Sequence, residues 1–308
     1  MTNYILRRLP QLVLVLFGVT VVSFGLMFLS GDPAELWLGP AAEVMTADQI
    51  EEWRENMGFN RPWYVQYVEY AGNAVRGDFG TSFRHGRSAM SLIVERMPAT
   101  VQLASLALLI SVVVGIPLGI VAAVKRNTPI DGVTMLFALM GQSMPSFWIG
   151  IMLMLFFGVQ LRWLPISGRG TIQHLILPST TLAFFYLAQN ARVMRSSMLE
   201  VLGLDYIRTA RAKGLANRAV IYRHALKNAL IPVITLIGLQ IGAMLGGTVI
   251  IETVFAWPGV GRLVVTSIGA KDFPVVQAGV VVLASSFVIV NTIVDLTYAL
   301  IDPRIRYS

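Results

Sequence analysis

Cysteine is absent from the 308 residues, and only 13% of them carry charge. The first absence excludes a disulfide framework, a thiolate metal site and a cysteine nucleophile, and it leaves the redox compartment open. The second leaves about half the charge that soluble domains use, roughly 25%. An ordinary cytosolic enzyme, a disordered regulator and a free nucleic-acid binder are thereby excluded. Histidine is scarce too: His85, His174 and His224 are too isolated to form a metal site. What is present is apolar, at 55% hydrophobic residues and a mean hydropathy of +0.67. Fourteen Pro and 27 Gly run through the apolar stretches, a composition that suits membrane helices. The sequence describes an integral membrane protein.

A membrane-spanning helix needs about 20 mostly apolar residues. Charge-free intervals of that length predict six, near 9–29, 101–124, 133–160, 175–195, 229–251 and 279–301. The first is read as a span and not a cleaved leader, because its apolar stretch is too long and no A-x-A site follows. Fourteen of the 24 Lys and Arg fall on one side of these spans, eight of them between Arg192 and Lys227, against four in the short loops opposite. The positive-inside tendency then makes both termini and the 192–228 loop cytoplasmic. The net charge of +7 follows from these retained positives and needs no nucleic acid.

Residues 30–99 fall outside and read as short helices. Thr46 with Gln49 makes a capping box, Gly58 ends that helix, and a second runs from about Pro62 to Gly77. Trp37, Trp53 and Trp63 either rest on the headgroup layer or offer a docking surface to an external partner.

The 205–228 loop carries the most information. Asp205 is a good N-cap, Gly214 sits where a left-handed residue would stop the helix with Leu215 beyond it, and Asn217 can cap a second helix leading into the fifth span. Two short helices about a glycine corner make a stiff knob on which a soluble partner can push. A helix-turn-helix DNA reader is excluded, because both flanks enter the bilayer within a few residues.

The segment Arg208-Thr209-Ala210-Arg211-Ala212-Lys213-Gly214-Leu215, with Ile231-Pro232, resembles the EAA loop of ABC-importer permeases in its dipeptide/oligopeptide/nickel version. Arg208 and Thr209 replace the first Glu and Ala of the general pattern, while Ala210 and Gly214 match. The likeness extends through Gly31-Asp32-Pro33, Gly77-Asp78-Phe79-Gly80, Arg96-Met97-Pro98-Ala99-Thr100, Trp257-Pro258-Gly259-Val260-Gly261 and Asp302-Pro303-Arg304-Ile305-Arg306. It implies a single all-α permease domain over 1–308, in a bacterial or archaeal cytoplasmic membrane. It also implies a homologous second permease, two cytoplasmic ATPase subunits using ATP and Mg, and an extracytoplasmic solute-binding protein. No cofactor or metal is expected on this chain, which has no G-x-x-x-x-G-K-[ST] phosphate loop and no catalytic constellation. The implied solute is a dipeptide or oligopeptide, with nickel chelates, glutathione and other small peptide-like solutes belonging to the same resemblance.

The coupling contact is expected from Asp205 to Leu215, with Ala210 and Leu215 touching the ATPase and Arg211 and Lys213 on its rim. Gln142, Ser143, Gln189, Asn190 and Gln240 either line a hydrated path or bond between helices. Gly238, Gly242 and Gly246, like Gly115 and Gly119, stand at close-packing spacing, within the chain or against the partner permease. Glu252, Phe255, Trp257, Pro258 and Gly259 form an outer segment read as a gate, a binding-protein contact or an interfacial anchor. Asp295, an acid within an apolar run, is expected to pair with Arg192 or Arg195, with proton coupling as its rival. An ion-gradient transporter is the alternative of another class. It would be expected to show an internal repeat and paired intramembrane acids, and only Asp295 stands in its favour.

Overall fold

The computed structural model describes residues 2–32, 38, 41, 44–56 and 58–301. Pro33, Trp37 and the 302–306 motif lie outside the described residues. Long helices occupy all six apolar intervals: α1 (Thr2–Ser30), α4 (Ala89–Val124), the pair α5 (Pro129–Ser143) and α6 (Ser146–Leu153), α7 (Gln173–Leu202), α10 (Leu226–Val254) and α12 (Phe273–Ile301). The shorter helices are α2 (Ala47–Asn56), α3 (Trp63–Val75), α8 (Asp205–Ala212), α9 (Asn217–Ala219) and α11 (Val260–Gly269). Among the described residues no strand occurs beyond an isolated bridge between Thr81 and Ser88. Among the described residues three helical stretches, 89–124, 217–254 and 273–297, are long and apolar enough to cross a membrane, and α5 with α6 makes a fourth if taken together.

Local chemistry sets the ends. Thr46 and Gln49 form the reciprocal capping box, the Thr46 N–H donating to Gln49 Oε1 (2.9 Å) and the Gln49 N–H to Thr46 Oγ1 (3.4 Å). α4 starts twelve residues before the predicted span, because Glu95 and Arg96 interrupt the apolar run without interrupting the helix. The predicted third span departs further. Pro145 has no N–H to continue the helix and disfavours helical backbone at the residue before it. Met144 is extended (φ −88°, ψ 135°), and α6 leaves at 112° to α5. A π-helical segment, Met154–Gln160, prolongs α6.

α4 and α7 form the most extensive helix pair. A Cβ at Gly115 would lie 2.9 Å from the Leu187 carbonyl oxygen, and one at Gly119 would lie 2.6 Å from Met194 Cβ. Both glycines therefore serve packing within the chain. Gly242 does the same toward α12, where an added Cβ would meet Asn291, whereas Gly246 has nothing within 4 Å.

Candidate functional site: a coupling knob and an outer clamp

α8 stands on the C-terminal end of α7 and the N-terminal end of α10. Ile207 (0% exposed) and Ala210 (7%) face inward, in a cluster with Met194, Met198, Val201, Val220 and Ala229. Ala210 is thus part of the knob's foundation, which corrects its expected contact with the ATPase. At helical spacing, positions 207 and 210 share a face, so the surface left outward is Asp205, Arg208, Thr209, Arg211 and Ala212, followed by Lys213, Gly214 and Leu215. Asp205 is not the N-cap. Leu204 holds that place, and Asp205 begins the first turn, where its charge suits the helix dipole. Asn217 is likewise the first helical residue after Ala216.

The corner is built as predicted. Gly214 has φ +76°. The Gly214 N–H donates to the Arg211 carbonyl (2.9 Å) and the Leu215 N–H to the Ala210 carbonyl (3.4 Å), the paired bonds of a Schellman motif. The second helix widens into a π-helical turn, Val220–Ala225. Asn228 Nδ2 donates to the Tyr206 hydroxyl (2.8 Å), binding α8 to α10. Ala216, Arg218, Ala219, Tyr222 and Arg223 line an open hollow beside the corner.

Beside the knob, Arg195 gives Asp131 two hydrogen bonds, Nε to Oδ1 (2.6 Å) and Nη2 to Oδ2 (2.8 Å). Arg195 is thus committed to Asp131 and not to Asp295 as expected, and among the described residues no ion pair joins Asp295 to Arg192. Sequence reasoning did not single out Asp131, which lies just before the span expected near 133–160. The available signal was an acid in the first turn of an otherwise charge-free helix.

At the opposite end of α7 and α10 the segment 252–261 closes on α4. Glu252 (0% exposed), Phe255 (1%) and Trp257 (0%) are buried within the chain, as is Gly259, with Pro258 half-buried. The side chains of Glu252, Phe255 and Trp257 are therefore packed inside the chain and not offered as an interfacial anchor. Thr100 Oγ1 donates to Glu252 Oε1 (2.7 Å) and accepts from the Val260 N–H (2.9 Å). The Arg262 N–H donates to Glu252 Oε2 (3.0 Å). Trp257 Nε1 donates to the Ala99 carbonyl (3.0 Å), and the Arg169 guanidinium lies 5.5 Å from the Trp257 ring centroid. The motifs at 96–100 and 257–261 thus form one clamp, and the first N–H groups of α11 find acceptors in it. Sequence reasoning had Thr100 only within a motif, with no role assigned, and did not single out Arg169.

The interior amides divide. Gln240 Nε2 donates to Gln189 Oε1 (2.9 Å), joining α10 to α7. Asn190 is fully buried, its Nδ2 donating to Ser111 Oγ on α4 (3.4 Å), an interhelical contact. Gln142, half-buried, and Ser143, exposed, sit at the α5–α6 break. A cavity of about 530 Å³ opens between α1, α2, α3 and α12, lined by Phe24, Trp53, Phe59, Tyr70, Phe79 and Gln277 among others. Burial raises the Tyr70 hydroxyl above its ordinary pKa.

Residues 115–307 match the family described as binding-protein-dependent transport system inner membrane component, and residues 1–104 match its N-terminal membrane component. The chain belongs to this family, the permeases of ABC importers, and is a multi-pass inner-membrane protein. A dipeptide transport system permease protein of Alkalihalophilus pseudofirmus is 42% identical, with both chains covered completely. A glutathione transport system permease protein of Escherichia coli K12 is 44% identical, again over the whole of both. Among solved structures, an amino acid ABC transporter is similar at TM-score 0.52 and 16% identity, covering 70% of this chain and 94% of that one. A methionine ABC transporter is similar at TM-score 0.52 and 17% identity, with 69% and 95% covered. At these identities the two structures bear on the fold alone.

Proposed function

We propose that this chain is one of two homologous permease subunits of an importer for dipeptides or short oligopeptides. Its long helices make six crossings, with both termini and the 205–228 loop in the cytoplasm. Two ATPase subunits bind and hydrolyse MgATP, and an extracytoplasmic binding protein delivers solute. The chain itself holds no cofactor and performs no covalent chemistry. An ATPase seats on the outward face of α8 and the corner, between Arg208, Arg211, Lys213 and Leu215. Nucleotide-driven closure there biases the helices between inward and outward opening, a two-state equilibrium to which both ends contribute.

One observation carries the reading. The knob is rooted by Ile207 and Ala210 in the shared core of α7 and α10 while its basic face stays exposed. A push on it reaches the long helices with no flexible linker between. The relative named for glutathione favours that tripeptide as a second solute.

The test is to purify the chain with its neighbouring gene products and reconstitute the complex in vesicles. The expected result is ATP hydrolysis stimulated by loaded binding protein, with dipeptide uptake that glutathione either competes with or ignores. Gly214→Val, which forces a β-branched residue into φ +76°, is expected to insert normally and hydrolyse ATP without uptake. Uptake by the chain without an ATPase, or normal uptake by Gly214→Val, would defeat the reading.

A further inference from the structure

Coupling needs more than a knob rooted in α7, because the helix break that carries Gln142 and Ser143 belongs to α5. Two contacts bind α5 to α7, and a third binds α6 beyond the break. At the inner end lies the Asp131–Arg195 pair, with both guanidinium bonds at 2.6 and 2.8 Å and a third donor, the Asn127 N–H, on Asp131 Oδ2 (3.1 Å). The Asp131 side chain is 7% exposed. Midway, Gly141 packs against α7 so closely that a Cβ there would lie 2.6 Å from Ala188 Cβ. Beyond the break, a Cβ at Gly150 would lie 3.3 Å from Thr181 Cγ2.

Arg195 is one residue from Met194 and three from Met198, both of which pack beneath Ile207 and Ala210 of the knob. The pair is therefore adjacent in structure to the place where a push arrives. Packed glycines resist compression but transmit little tension or twist. A bidentate pair fixes direction as well as distance. Parting it would leave a buried carboxylate with a single backbone donor, so it is suited to stay closed while the helices move.

We propose that Asp131 and Arg195 are the positioning residues that make α5 follow the coupling knob, a pin that remains shut through the transport cycle and carries motion from α7 to the break at Met144–Pro145. This rests on the importer reading above. It assigns a role to a contact that lies in neither the knob nor the solute path.

The experiment uses the reconstituted complex and reads solute taken up per ATP hydrolysed. Asp131→Asn and Arg195→Gln are expected to lower that ratio at least tenfold while the complex still assembles and hydrolyses ATP. A merely structural contact would lower yield and both rates together and leave the ratio unchanged. Because this subunit has no native cysteine, Asp131→Cys with Arg195→Cys makes its only thiol pair. Unlinked, the pair should behave like Asp131→Asn; bridged by a short bis-maleimide, it should recover the ratio. Arrest on bridging, failure to recover, or an unchanged ratio in the single variants overturns the proposal. A wild-type complex with no ATP-driven uptake would instead fell the importer reading, and this inference with it.

Discussion

Glu252 shows how much of the molecule one side chain can organise. Its carboxylate is fully buried at the end of α10, where it accepts from the Thr100 hydroxyl and from the backbone of α11. A buried carboxylate is tolerable only while its oxygens are occupied, and hydrogen bonds to charged groups contribute about 1.5–3 kcal/mol each. Gly261 permits the geometry, since a Cβ there would lie 2.6 Å from Val249 Cα. Thr100→Val keeps the shape of the side chain while removing both a donor and an acceptor. It should cost about 2–4 kcal/mol on that scale, and thermal unfolding of the detergent-solubilised complex should register it. Thr100→Ser retains both bonds and should unfold close to wild type. If the Val and Ser variants melt together, the clamp contributes nothing beyond packing. The individual motifs at 96–100 and 257–261 were legible in the sequence, but their union was not. Residues 152 positions apart leave no local periodicity from which to infer that they meet.

Among the elements, α4 and α7 behave as a single body. Gly115 and Gly119 bring the two backbones together, and the sequence displayed that spacing without saying which helix it faced. Position 119 meets both main chain and Met194, while position 246 meets nothing within 4 Å. Gly119→Leu must therefore push α7 away or fail to fold, at about 1–3 kcal/mol or more for overpacking. Gly246→Ala should be neutral for this chain alone. Measured by yield and melting temperature, a Gly246→Ala loss as large as that of Gly119→Leu would mean that Gly246 is packed against a partner. Hydropathy located the long helices because charge marks their ends, and it failed where charge and helix ends part company. Glu95 and Arg96 lie inside α4, and Pro145 lies inside a charge-free interval that the chain divides into two helices at 112°. Composition reports what surrounds a segment; backbone chemistry decides whether it runs straight.

At the scale of the whole molecule, that divided interval decides the topology. If α5 and α6 cross, the chain makes six passes and its ends share a side; if they turn back, the loop after them returns to the side it left. α7 is a 30-residue helix, about 45 Å long at 1.5 Å per residue, and it serves as a ruler. Asp131, at the start of the pair, is bonded to Arg195 near the C-terminal end of α7. Gly150, just beyond the break, packs against Thr181 near its N-terminal end. The loop that follows joins the clamp, with the Gly168 N–H on the Phe255 carbonyl (3.0 Å) and Arg169 on Gln102 (2.9 Å). The two contacts thus lie fourteen residues apart along α7, about 21 Å at that rise, an offset that favours a broken span over a re-entrant loop. The cysteine-free chain makes the matter measurable with single exposed thiols. Arg84→Cys and Ser167→Cys should react with an impermeant maleimide added outside intact cells, and Lys213→Cys only after the membrane is opened. Protection of Ser167→Cys alongside labelling of Arg84→Cys would make the pair re-entrant, reduce the crossings, and separate the knob from the side on which an ATPase can reach it.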